Sequence, residues 1–300
     1  MHHAVTVKET MTRYNIDTCA LLVELSVSQW TARKLDKSTT DEIIKDKNAG
    51  DKGAARVNKH LLAGRIELEI INQHIGETRS YVYDNTLPWS DAGIRLLPSS
   101  KFMEFNSKLQ TYEDKFHGLV DEFVRVYPSL ITAQAMALGD MFNRADYPDP
   151  SDIAHRFRFN TNFMPVPSSG DFRVDVGNDA QQELKEKLAK FADERVDNAM
   201  NSFKTRMLEH LKRMSDRLEV DVIGGEFKPR KFHDSLLDSA HEICEWAKDL
   251  NITNDPQIEE ARKALNKAIN GLDVKDLRKD MPTRTNVKAE VDAILSKFSF

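Results

Sequence analysis

The stretch that most constrains this chain is Gln181–Leu218, in which Leu184, Leu188, Phe191, Val196, Met200, Phe203, Met207, Leu211, Met214 and Leu218 recur. Almost every interval is three or four residues, which sets these side chains along one stripe of a continuous helix. Neither Gly nor Pro occurs inside it. At 1.5 Å per residue such a helix runs about 55 Å. A stripe that long is not stable alone in water and demands an apolar surface of similar length to lie against.

A second stripe supplies a partner of comparable length. In Lys101–Val126, behind an N-cap at Ser99-Ser100, the residues Phe102, Phe105, Leu109, Tyr112, Phe116, Leu119 and Phe123 repeat at alternating steps of three and four. Its length is about 40 Å by the same rise. Pro128 then sits where a first-turn proline belongs, so Ser129–Asn143 reads as a separate helix with Met136, Met141 and Phe142 on a soft apolar face. Upstream, Leu61–Tyr83 has helical spacing at Leu62, Ile66, Ile70, Ile71, Ile75 and Val82.

Strand patterns are fewer. Ala20–Val27 alternates Glu24 and Ser26 against Val23, Leu25 and Val27, and Arg156–Val166 and Asp171–Val176 alternate around a turn at residues 167–170. These predict an antiparallel sheet of about three strands. Asp41–Asp46 reads as a short helix, and residues 47–60, with Gly50 and Gly53, as a polar mobile piece. Thr86–Pro98 is too apolar for an exposed linker and reads as an ordered loop pinned by Leu87, Trp89, Ile94, Leu96 and Leu97. After a turn at Gly224-Gly225, helices are predicted over Phe232–Leu250 and Pro256–Ile269, then a loosely patterned charged tail, Asp273–Thr285, and a last helix over Val287–Phe298.

The fold class that follows is α+β, mainly α, with long antiparallel, coiled-coil-like helices projecting from a small sheet-bearing head. Five segments follow: 1–100 (N-terminal strand and helices of the head), 101–145 (first long helix and its successor), 146–178 (hairpin completing the head), 179–220 (long helix) and 221–300 (C-terminal helical region).

Composition narrows the function classes. The chain has 300 residues, a net charge of −5, and two cysteines without metal-ligand spacing, Cys19 and Cys244. A broad basic face for duplex DNA is disfavoured, and a reduced cytoplasmic compartment is expected. The leader has no apolar core for a signal peptide, and no run approaches a membrane span, so no membrane role is expected. The mixed-charge run from Arg33 to Lys59 reads as a solvated face.

Catalytic constellations are weak. His2 and His3 lie at the end of the chain; His60, His74, His117, His155, His210, His233 and His241 show no zinc spacing and read as surface or cap residues. Glu183–Lys187 and Glu186–Lys190 are i,i+4 pairs of an exposed helix. Asp171 and Asp175 flanking Arg173 imitate a metal-nuclease strand but lack a third acid. Phosphate loops and nucleophile elbows are absent, so no cofactor, metal or catalytic residue is assigned. Basic residues Lys204, Arg206, Lys212, Arg213 and Arg217 gather in the second half of the long helix. Beyond them, Phe227, Lys228, Arg230, Lys231 and Phe232 form a basic-aromatic stretch suited to holding single-stranded nucleic acid by stacking and phosphate contacts.

Four stretches, LSVSQWTARKLDK (25–37), TLPWSDAGIRLLP (86–98), MFNRADYPDPSDI (141–153) and FMPVPSSGDFRVDVG (163–177), resemble in order and spacing a bacteriophage and mobile-element family known as a domain of unknown function. The resemblance covers about Leu21–Leu250. Members are often encoded near a MoxR-type AAA+ ATPase and a von Willebrand factor A protein, and some beside phage recombination genes. The resemblance implies an accessory protein of the bacterial cytoplasm and carries no catalytic residues. The expectation is a non-catalytic, homo-oligomeric adaptor that docks a host complex, including one of host defence, or the ATPase. The alternatives are single-stranded DNA binding through the basic-aromatic stretch and, third, a metal nuclease using Asp171 and Asp175.

Overall fold

The computed structural model describes residues 16–167 and 178–298. In chain order the elements are α1 (Ile16–Cys19), β1 (Ala20–Ser28), β2 (Arg33–Leu35), α2 (Lys37–Asp46), β3 (Asn58–His60), α3 (Ile66–Asp84), β4 (Leu87–Pro88), β5 (Arg95–Pro98), α4 (Phe102–Leu138), α5 (Pro150–Ile153) and β6 (Arg158–Pro165). They continue with α6 (Asn178–Leu218), β7 (Val220–Ile223), β8 (Glu226–Pro229), α7 (Ser235–Asp249), α8 (Pro256–Ile269), α9 (Val274–Lys279) and α10 (Met281–Lys297). The fold is mainly helical with a small antiparallel sheet. Two compact units divide it: one takes Met1–Glu24, Tyr83–Phe105 and Asn162–Phe300, the other Leu25–Val82 and Asn106–Thr161.

In the first unit, α6 runs unbroken for 41 residues. From Val196 to Leu218 its expected stripe is buried, with Phe203 at 1% and Leu211 at 0% exposure. That stripe packs on α7, α10 and β4, while α8 packs on α7 and α10, so α6, α7, α8 and α10 form a closed ring of helices. Phe203→Ala would cost about 3–5 kcal/mol at such a site. Toward the N-terminus of α6 the buried face changes. Ala189 and Ala192 are covered there, whereas Leu184 is 37% and Phe191 43% exposed. The five-residue step from Phe191 to Val196 is where the stripe loses its phase.

The sheet has four described strands in the order β4-β5-β1-β6, one more than the three expected. Leu21 pairs with Leu97 and Leu87 with Leu96 in antiparallel register. Thr86–Pro98, expected as a loop, is therefore a hairpin, and the Gly93 φ of 89° supplies its turn. Leu87, Trp89, Leu96 and Leu97 are buried, as their apolar character requires. The expected strand Asp171–Val176 lies outside the described residues.

The tail Asp273–Thr285, expected to be loosely patterned, is helical. Asp273 and Asp276 form a capping box that starts α9, and the Asp280 side chain accepts from the Thr283 amide to start α10. These caps begin α9, which at six residues is too short to show a period, and carry the expected last helix back from Val287 to Met281.

In the second unit the expected break at Pro128 does not occur: α4 continues through it. Proline forfeits one hydrogen bond in a helix interior, at a cost of about 3 kcal/mol. Tyr127, Leu130 and Ile131 are buried on both sides of it and hold the helix together. Trp30 lies edge-on to Tyr127 at 5.6 Å, and Phe123 lies 5.5 Å from both Tyr127, tilted, and Phe157, edge-on. The Tyr127 hydroxyl donates to the Pro148 carbonyl at 3.1 Å, and burial pushes its pKa up to about 12.

α3 starts at Ile66 rather than near Leu61, because β3 pairs with β2 and a turn through Gly64 (φ 71°) intervenes. The polar piece 47–60 is thus tied down at its end, with Lys59 held to Asp146 at 2.6 Å. His74, expected at the surface, is 2% exposed and its Nε2 contacts the Tyr112 carbonyl at 2.8 Å.

Candidate functional site

The expected basic-aromatic residues lie in the first unit, just beyond the end of α6. Gly224 and Gly225 adopt φ of +64° and +85°, the two left-handed positions that a tight hairpin turn needs. This turn makes β7 and β8 an antiparallel pair with Val222 opposite Phe227 and Asp221 opposite Lys228. Phe227 is 74% and Val222 63% exposed, and Lys228 is exposed beside them. Phe227 and Lys228, for which the sequence pattern assigned no regular element, are in strand β8.

Arg230 and Phe232 serve the fold. The Arg230 guanidinium forks onto Asp221, with Nε to Oδ2 at 3.0 Å and Nη2 to Oδ1 at 2.9 Å, and also reaches Asp216. This fork holds the Asp221 carboxyl below the usual carboxylate range. Phe232 is half-buried, with the Arg284 and Arg278 guanidinium carbons 5.1 and 5.4 Å from its ring centre.

Arg284 is the most consequential residue that the pattern did not reveal. Only 1% exposed, it meets no carboxylate among the described residues and donates to backbone instead. Nε reaches the Leu218 carbonyl at 2.9 Å, and Nη2 reaches those of Arg217 and Arg230, each at 2.7 Å. The carbonyls of Arg217 and Leu218 end α6 and have no helical donor of their own. Arg284 closes that helix end and fixes the chain that leads into a cleft.

The cleft, of about 570 Å³, opens between the last turns of α6, the 231–233 segment and the first turns of α7. His210, Arg213 and Arg217 line it from α6, at spacings of three and four that place them on one face. Lys231 and His233 add to the same wall. His210 lies edge-on to Trp246 at 5.5 Å, and burial, reinforced by Arg213 and Arg206, depresses its pKa. The other cations grouped on α6 go elsewhere. Lys204 pairs with Asp255 at 2.7 Å. Arg206, 9% exposed, lies between the rings of Tyr83 and Trp246, 4.7 and 5.1 Å from their centres, and donates to the Tyr83 carbonyl at 3.2 Å.

A second surface is the early part of α6, where Leu184, Leu188 and Phe191 stand at least partly exposed, and the Arg195 guanidinium covers one face of the Phe191 ring at 4.9 Å. Among the described residues no group of three or more His, Cys, Asp or Glu could hold a metal ion. Asp171 and Asp175 are outside them. No helix among the described residues is long and apolar enough to cross a membrane.

No family model matches the chain, and neither a curated protein nor a solved structure matches it.

Proposed function

We propose that this chain is a non-catalytic accessory protein of a bacteriophage or mobile element, acting in the bacterial cytoplasm as an oligomeric adaptor. The observation that carries the adaptor reading is the apolar face Leu184–Leu188–Phe191, left open on a helix whose apolar stripe is buried from Val196 to Leu218. Its first occupant is the same face of a second copy, giving a short coiled-coil-like pairing. Charge favours this choice: residues 183–195 hold four acids and four bases, so two such faces do not repel. The pair then presents its outer surfaces to a host complex, including one of host defence, or to a AAA+ ATPase, in keeping with the family resemblance.

Light scattering with mass determination tests the reading. The unmodified chain is expected as a dimer, and Leu184→Glu with Phe191→Glu as a monomer of unchanged helicity. A monomer at all concentrations for the unmodified chain refutes it. A second reading, single-stranded DNA binding, is favoured by the exposed Phe227, Lys228 and Lys231. It predicts a salt-dependent oligonucleotide shift lost in Lys228→Glu with Lys231→Glu. No shift at low salt removes it.

A further inference from the structure

We propose that the cleft between α6 and α7 binds a small organic phosphate, with the phosphoryl group on its cationic wall and an apolar or aromatic body on its floor. This site is separate from the self-association face and stands independently of the adaptor reading.

Three permanent cations, Arg213, Arg217 and Lys231, line one concavity in a chain whose net charge is −5. Among the described residues, no carboxylate lines it, and none of the three cations has an acid within ion-pair distance. Of the acids nearest in sequence, Glu209 acts on His210, Glu219 pairs with Lys288, and the others are engaged elsewhere. Asp216 and Asp221 pair with Arg230, and Asp234 with Arg278. Like charges gathered without counter-charge repel one another, and a dianion relieves that repulsion. A phosphate monoester carries about −1.5 to −2 charges at neutral pH and offers oxygens that arginine forks can grip in pairs.

The head of the cleft has further donors. Ser235 and Ser239 line it from the start of α7, a helix of 15 residues. The residue at the N-cap, Asp234, makes no capping hydrogen bond, so the first-turn amides apart from that of Leu236, which donates to the His233 carbonyl at 3.1 Å, keep donors that an anion can take up. The floor differs in character. Met214 and Ile243 are buried beneath it, and Leu236 and Phe232 wall it partly buried. A free inorganic anion would leave that floor wet, whereas a ligand with an apolar body covers it. About 570 Å³ falls within the roughly 300–1,000 Å³ that small-ligand sites occupy.

Calorimetric titration of the full chain tests the assignment, using adenosine monophosphate, octyl phosphate, inorganic phosphate and an oligothymidylate lacking terminal phosphates. At least one of the two organic phosphates should saturate at one per chain, about tenfold or more tighter than inorganic phosphate. A preference for the nucleotide marks an aromatic body, and one for octyl phosphate an alkyl body. Arg213→Ala with Arg217→Ala should weaken that binding about tenfold or more, since each guanidinium removed takes its charge-assisted hydrogen bonds with it. Both side chains are exposed, so this variant should fold, and circular dichroism verifies it. Leu236→Asp should weaken the organic phosphate and leave inorganic phosphate little changed. The proposal is overturned by no saturation with either organic phosphate up to about 5 mM, or by equal affinity in the arginine variant. Tighter binding of the oligothymidylate than of both organic phosphates also overturns it, assigning the cleft to nucleic acid.

Discussion

Replacing Arg284 by methionine keeps the length of the side chain and removes its donors, so it isolates what the guanidinium does. Three contacts of 2.7–2.9 Å go to the carbonyls of Arg217, Leu218 and Arg230, with longer ones to Glu219 at 3.2 Å and Leu277 at 3.5 Å. At about 1.5–3 kcal/mol for each charge-assisted bond, the three short ones amount to roughly 4.5–9 kcal/mol gross. Methionine recovers part of this, because its thioether is buried without a desolvation cost of several kcal/mol. The carbonyls left behind remain buried without donors. A net loss of about 3–5 kcal/mol is expected, since each carbonyl left without its donor costs about 1–3 kcal/mol. In urea this lowers the midpoint of the first unit by about 1–1.7 M, for a slope near 3 kcal/mol/M. Hydrogen exchange should speed up most in the last turn of α6 and in α10. Arg284→Lys should lose at least half as much, because one ammonium cannot span carbonyls arranged around a planar fork. If both variants stay within about 0.5 kcal/mol of the parent, Arg284 does not clasp the end of α6.

Other expectations concern single groups. Cys244 is buried and its thiol is pushed up to about 11 by burial, so a thiol reagent at pH 8 should modify exposed Cys19 first and reach Cys244 only on unfolding; equal rates would refute its burial. His210 is depressed in the folded chain, so the unfolded chain binds the extra proton, and stability should fall as pH drops below about 6.5. His210→Gln should flatten that slope, read from urea midpoints between pH 7 and 5. Pro128 is exposed within α4, and Pro128→Ala restores an amide donor without loss of packing. A gain of about 1–2 kcal/mol is expected after the lost stiffness of the unfolded chain is counted; destabilisation would refute it.

Local periodicity was a sound guide wherever one element decides its own state. The three-four spacing and the lack of Gly and Pro in Gln181–Leu218 announce α6, and Asp255-Pro256 with Gly271 bracket α8. The Gly224-Gly225 pair marked a turn, though not the strands on either side, because both strands are short and β8 is exposed. The charged tail hid α9 and the first turns of α10 for a related reason. Their helices start from aspartate caps and are completed by packing on α6 and α8, with little periodic signal of their own.

The candidate sites show the same division more sharply. Arg213, Arg217, Lys231 and Phe232 were visible as basic and aromatic residues, yet Arg206, Arg230 and Arg284 look no different in a string of letters. What separates them is where acids and carbonyls from distant segments arrive: Asp221 at Arg230, the end of α6 at Arg284, two aromatic rings at Arg206. On its own, the sequence determined long helices, a small sheet and a dearth of catalytic motifs, since spacing along the chain sets which face is apolar. Tertiary structure decided which cations are consumed inside and which remain to meet a ligand, because charge pairing and burial depend on residues far apart in the chain coming together.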